Sequence, residues 1–203
     1  MEVQERIIQT AHDLYMRKGV RSVSLDEIAL QLGISKKTIY QFFEDKDTLV
    51  ESVIEALIIE KKETCGYNVD NADNPIHEYF IAEEEIKEVI AGIHPSMIND
   101  MQKYHPKAYS ILMEFQHKFL YDIIKTNLVK GIEMGLYKDD IDVEILTAYR
   151  LNTVFMLFNT DAYPPKKFKV AKVLFEVTDN FLHGIATQKG NKLIEKYKNQ
   201  RTK

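Results

Sequence analysis

Cysteine is almost absent: Cys65 is the only one in 203 residues. A single thiol excludes an internal disulfide and any cysteine-based zinc site, and Cys65 reads as a small apolar residue near a helix end rather than a redox sensor. No apolar run approaches the roughly 20 residues that a membrane-spanning helix needs. Met1 is followed by the charged Glu2 and Glu5 instead of a signal-peptide pattern, so a cytoplasmic address without a membrane partner is expected. Catalytic signatures are missing too. The histidines at 12, 77, 94, 105, 117 and 183 include no H-E-x-x-H pair, and there is no glycine-rich phosphate loop and no nucleophile elbow. Glu114-Phe115-Gln116-His117 is a lone E-x-x-H where a di-iron bundle requires two, and Glu83-Glu84-Glu85 reads as a solvated face. Neither an enzyme nor a bound metal or cofactor is expected. Internal repeats, low-complexity segments and convincing strands are lacking as well.

Positive charge is also short. The net charge is −4, and the first 47 residues are slightly negative by themselves. This argues against a protein that is basic overall, so any contact with nucleic acid must rest on where the cations sit. Lys36, Lys37 and Lys46 cluster, while Glu2, Glu5, Asp13, Asp26 and Glu27 belong to other helices. The acidic remainder weakens nonspecific adhesion.

That cluster lies in Ser24–Leu49, SLDEIALQLGISKKTIYQFFEDKDTL, which reads as two short helices across a tight turn and the start of a third. Ser24 with Glu27 forms a capping box, and Leu25, Ile28, Ala29 and Leu32 recur at helical spacing until Gly33. Ser35 caps a second helix in which Ile39, Phe42 and Phe43 share an inner face, leaving Lys36, Lys37, Thr38, Tyr40 and Gln41 outward. A helix start with two lysines suits phosphate; Thr38 and Gln41 can reach base edges, and Tyr40 offers a hydroxyl to the backbone. Asp45 caps the next helix, which would present Lys46 to a flanking phosphate. The expected DNA-binding set is Ser24, Ser35, Lys36, Lys37, Thr38, Tyr40, Gln41 and Lys46, with Lys37, Thr38 and Gln41 reading bases.

G-I-S-K-K-T-I-Y-Q-F-F-E-D-K-D-T-L, preceded by T-A-H-D-L-Y-M-R-K-G-V-R-S-V-S-L-D-E-I-A, resembles the DNA-binding domain of the tetracycline-repressor (TetR) family of bacterial regulators. Cap, glycine, tyrosine, aromatic pair and lysine fall at the family's spacing. Lys37 departs from it, standing where the family commonly has glycine, and adds a charge to the reading helix. The resemblance implies an all-α fold, with an N-terminal helix-turn-helix domain of three helices (1–48) and a C-terminal effector-binding and dimerisation bundle (49–203). It further implies a homodimeric repressor on a palindromic double-stranded DNA operator, released by a small-molecule effector.

The remainder reads as helix and turn. A first helix spans Val3–Lys18, with Val3, Ile7, Ile8, Ala11, Leu14 and Tyr15 at a 3.6 period and His12 half-buried. A long one runs from Lys46 to about Thr64, ahead of the turn-former-rich GYNVDNADNP of Gly66–Pro75, the clearest loop in the chain. Further helices are expected from Pro75 to Gly92, Ser96 to Tyr104, Lys107 to about Gly135, Val143 to about Asn159 and Phe168 to about Thr187. Asp161–Lys167 is a loop, and Asn191–Lys203 a tail with a short helix that frays. The helices from Val143 and Phe168 carry more apolar surface than one subunit requires, so two copies would bury it in a four-helix seam.

An effector cavity in the bundle draws on Met97, Met101, Tyr104, Tyr109, Met113, Phe119, Tyr149, Asn152, Phe155 and Met156, joined by Tyr79, Phe80, Phe115 and Phe158. Adaptable methionines and tyrosine hydroxyls suit a largely apolar ligand with one or two polar groups. Arg150 interrupts an apolar run; if buried, it needs a carboxylate from the protein or from a ligand. The competing reading is a helical ligand-binding or protein-interaction module whose two-helix unit docks another protein instead of DNA.

Overall fold

Residues 2–159, 161–164 and 166–201 are described by a computed structural model of the chain. Helix α1 covers Val3–Lys18, α2 Leu25–Leu32, α3 Lys36–Tyr40, α4 Lys46–Asn71, α5 Pro75–Gly92, α6 Met97–Tyr104 and α7 Pro106–Glu114. A π-helical stretch, Phe115–Leu120, leads into α8, Tyr121–Glu133, followed by α9 (Val143–Met156), α10 (Val170–Ile185) and α11 (Gln188–Arg201). The described residues contain no strand, only an isolated bridge between Tyr137 and Ala186, and the fold is all-α. No helix among them is long and apolar enough to cross a membrane.

Local chemistry explains most boundaries. Ser24 and Ser35 accept hydrogen bonds from the backbone N–H of Glu27 and Thr38, each at 3.1 Å, and Asp45 does the same for Thr48 at 2.8 Å. Gly33 is left-handed (φ 67°). It closes α2 in a Schellman arrangement, its N–H on Leu30 O and that of Ile34 on Ala29 O.

Three boundaries differ from expectation. The turn formers of Gly66–Asn71 continue α4 instead of breaking it. Their polar side chains find local partners, Asn68 donating to Glu85 and Asn71 to the Tyr67 carbonyl, so the backbone keeps its own helical bonds. The stop comes at Asn74, whose Oδ1 accepts from the N–H groups of Ile76 and His77 ahead of Pro75 in the first position of α5. The expected Lys107–Gly135 helix is interrupted by the π stretch, where one extra residue shifts the face presented by everything after it. The tail is ordered as α11 from Gln188, because Ile194 and Tyr197 are buried; Thr202 and Lys203 of that tail, and Pro165 of the Asp161–Lys167 loop, lie outside the described residues.

Two compact units result, Met1–Lys62 with Gly92–Phe115, and Glu63–Ala91 with Gln116–Lys203. In the first, Ile7, Ala11 and Tyr15 of α1 share a core with Ile28, Ile39, Phe43 and Val53, and Met97, Met101 and Ala108 of α6 and α7 complete it. In the second, Ile76, Tyr79 and Phe80 pack with Leu128, Tyr137, Phe181, Leu182, Ile194 and Tyr197. Gly131 is obligatory there, since a Cβ would lie 1.9 Å from the Tyr137 ring. Glu83 is no part of a solvated face: it is buried and paired with Arg201 at 3.1 Å, which offsets the desolvation that raises its pKa.

Candidate nucleic-acid interface

Helix α3 is one short turn, anchored by Ile39 at 0% exposure, with Phe43 just beyond it at 2%. These anchors fix which side faces solvent. Lys37, Tyr40 and Gln41 are exposed and Lys36 and Thr38 half-exposed, so the expected reading side chains share one solvent-facing surface. Phe42 does not share the inner face: it is 40% exposed. The inward place beside Ile39 is taken by Phe43, one helical turn on, whose N–H bonds to the Ile39 carbonyl at 3.0 Å.

The cations on this surface are not equivalent. Lys36 donates to Asp26 at 2.8 Å, an exposed pair that raises the lysine pKa and partly cancels its field. Lys37 has no ion pair among the described residues, which leaves its whole charge available to an anion. Thr38 is also engaged, its hydroxyl 2.9 Å from that of Ser35. Lys46 is half-buried and donates to the Val20 carbonyl at 2.7 Å, with its ammonium 6.0 Å from the Tyr15 ring centroid; burial lowers its pKa. Its amine therefore ties the start of α4 to the loop before α2.

Two supports of this head have no signal in the sequence. His105, at the junction of α6 and α7, lies 2.5 Å from Asp47 in the first turn of α4. Asp100 of α6 accepts from Ser96 at 2.8 Å and from the Arg21 N–H at 3.4 Å, while the Arg21 guanidinium sits 4.9 Å from the Tyr104 ring centroid. Partners 58 and 79 residues apart cannot be paired by spacing.

The expected effector residues are distributed differently from the reading site. Met97 and Met101 are core residues of the first unit, each 1% exposed. Tyr104 is the 38%-exposed ring under Arg21, Tyr109 packs on the same core, and Met113 is half-buried. In the second unit Tyr149, Asn152 and Met156 stand on the exposed side of α9, and Phe155 is half-buried 6.1 Å from Phe158. Of the ten, Phe119 lines a cavity of about 130 Å3, bounded also by Val69, Glu78, Asp122, Ile123, Thr126, Asn127 and Lys130. Desolvation raises the Glu78 pKa there. Arg150 is buried in the same unit, 3% exposed.

Residues 7–53 match the family model described as bacterial regulatory proteins, tetR family. Over 191 residues the chain is 24% identical to the HTH-type transcriptional regulator YvaF of Bacillus subtilis, covering 90% of this chain and 95% of that one. Its fold is that of a transcriptional regulator from Saccharomonospora viridis in complex with choline (TM-score 0.75, 17% identity, 91% of this chain and 98% of that one). FadR of Bacillus subtilis in complex with stearoyl-CoA is also similar (TM-score 0.71, 18% identity, 89% and 98%). The family's model thus falls on the capped helix pair: residues 7–53 have the sequence of the helix-turn-helix module of the tetR family of bacterial regulatory proteins, and the relative matched over most of the chain is a helix-turn-helix transcriptional regulator.

Proposed function

We propose that the protein is a homodimeric, ligand-responsive repressor acting in the cytoplasm on a palindromic operator. Residues 1–48 read DNA, and 49–203 bind an effector and the second copy. The observation that carries this is the solvent-facing set Lys37, Tyr40 and Gln41, held on a helix whose opposite side is locked into the core by Ile39. Lys37, Thr38 and Gln41 reach base edges, Tyr40 and Lys36 meet phosphates, and Ser24, Ser35 and Lys46 hold these groups in place.

Dimerisation uses α9 and α10. Ile145, Tyr149 and Met156 are exposed by 65%, 54% and 41%, and with Asn152 they recur at steps of four, three and four, the seam of a helix that packs against another. Phe175, 37% exposed, extends the apolar surface on α10. Two copies joined there present two heads to half-sites about 34 Å apart. Effector binding in the second unit shifts α4 and with it the spacing of the heads, by no more than the effector's differential affinity for the two spacings. The small molecules held by two regulators of this fold, choline and stearoyl-CoA, support a ligand site here.

The test is selection of binding sites from genomic fragments, then fluorescence anisotropy on the selected duplex at several salt concentrations. Lys37→Ala should weaken binding and lower the salt slope by about one unit. Binding without sequence preference, or an unchanged slope, would return the helix pair to the role of a protein-docking module.

A further inference from the structure

Arg150 of α9 is buried at 3% exposure between two rings, with its guanidinium carbon 5.2 Å from the Tyr79 centroid on α5 and 5.5 Å from that of Phe181 on α10. A guanidinium has five N–H donors. Among the described residues Arg150 makes one hydrogen bond, from Nη2 to Thr178 Oγ1 at 3.1 Å, and no carboxylate lies within ion-pair distance of it. The buried acid that could have served, Glu83, is committed to Arg201 at 3.1 Å. Ring faces attract the cation but accept no in-plane hydrogen bond, so most of the donor fork faces no acceptor. The Tyr79 hydroxyl, on a side chain 6% exposed, is likewise buried without a hydrogen-bond partner among the described residues.

These groups share a chemical need. One fixed positive charge, a planar two-pronged donor and a phenol, set in an apolar core with Phe80 and Leu182, call for a planar singly charged acceptor attached to an apolar body. We propose that Arg150, with Tyr79 and Thr178, anchors the carboxylate of a small organic acid, and that such acids are the effector class of this regulator. The effector half of this statement rests on the ligand-responsive reading above. A dianion such as phosphate would leave a second charge unneutralised in the same core, and an amine would oppose Arg150. An organic monocarboxylate fits both charge and surroundings.

The full-length protein is melted with sodium hexanoate or sodium 4-phenylbutyrate, each against its own amide at equal ionic strength. The acids should raise the melting midpoint by several degrees and the amides should not. Arg150→Met should lose the response while its unliganded midpoint stays equal or rises, because an unpaired buried charge is replaced by an apolar chain of similar length. Thr178→Val, a milder change, should keep the fold and weaken the acid's apparent affinity about tenfold, as expected for one charge-assisted contact. The proposal is overturned if acid and amide act alike, if Arg150→Met keeps the acid response, or if unliganded Arg150→Met melts far below the parent. That last result would make the guanidinium a structural pillar neutralised through Glu83. Operator titration separates the two readings: acid binding without operator release leaves the site standing and removes only its regulatory role.

Discussion

Lys46 shows how a single side chain divides between reading and holding. Its sequence position, next to a cap and among lysines, suits a phosphate contact, yet the amine lies half-buried on the Val20 carbonyl. Lys46→Met keeps the aliphatic stem and removes that bond. It should lower stability by about 1 kcal/mol, the net worth of an ordinary hydrogen bond, with the salt slope of DNA binding hardly changed. Denaturant melts and the salt series together decide it: a slope lower by one unit with full stability would restore Lys46 to the phosphate. Lys37 should behave oppositely, since its charge has no ion pair among the described residues. Neighbouring lysines thus differ through partners that are distant in sequence.

At the scale of elements, the caps were legible because each is a bond between residues three to five apart. Ser24, Ser35 and Asp45 open their helices and Gly33 closes one as their spacing suggests, although the Glu27 carboxylate pairs with Lys18 and leaves the expected capping box half made. The failures have the opposite character. Gly66–Asn71 carries loop composition, but its side chains bond to Glu85 and Tyr67 and leave the helical backbone intact. This makes Gly66 a removable weakness: it is helical, has a negative φ, and an added Cβ there would meet nothing within 4 Å. Gly66→Ala should stabilise the protein by about 0.5–1 kcal/mol. A loss of stability in thermal or urea melts would mean that the segment is a loop after all. The π stretch at Phe115–Leu120 has no comparable sequence mark, because a shift of phase within six residues does not stand out from the ordinary scatter of an apolar pattern.

At the scale of the molecule, the exposed row on α9 makes a prediction about mass. The parent should sediment at twice 23.7 kDa at micromolar concentration. Ile145→Asp, which places a charge in the row, should sediment as the monomer and bind the operator more weakly, because the half-sites would no longer be engaged together. A monomeric parent would remove the dimer from the mechanism. The same row shows where residue type stops being informative: Tyr149, Asn152 and Met156 have the chemistry of a ligand cavity but stand in solvent, while Met97 and Met101, of the same chemistry, are plain core. Aromatic and methionine content says that a surface will be covered, not by what. Arg150 was conspicuous by its charge in an apolar run, yet only the fold shows that the nearby buried acid is taken by Arg201. Alone, the sequence determined the all-helical class, the capped helix pair and the family likeness of residues 7–53, all set by bonds and periodicities within a few residues. Tertiary structure decided which lysine is free, which methionines are buried and whether a buried cation has a counter-charge, because those depend on partners that chain folding brings together from far along the sequence.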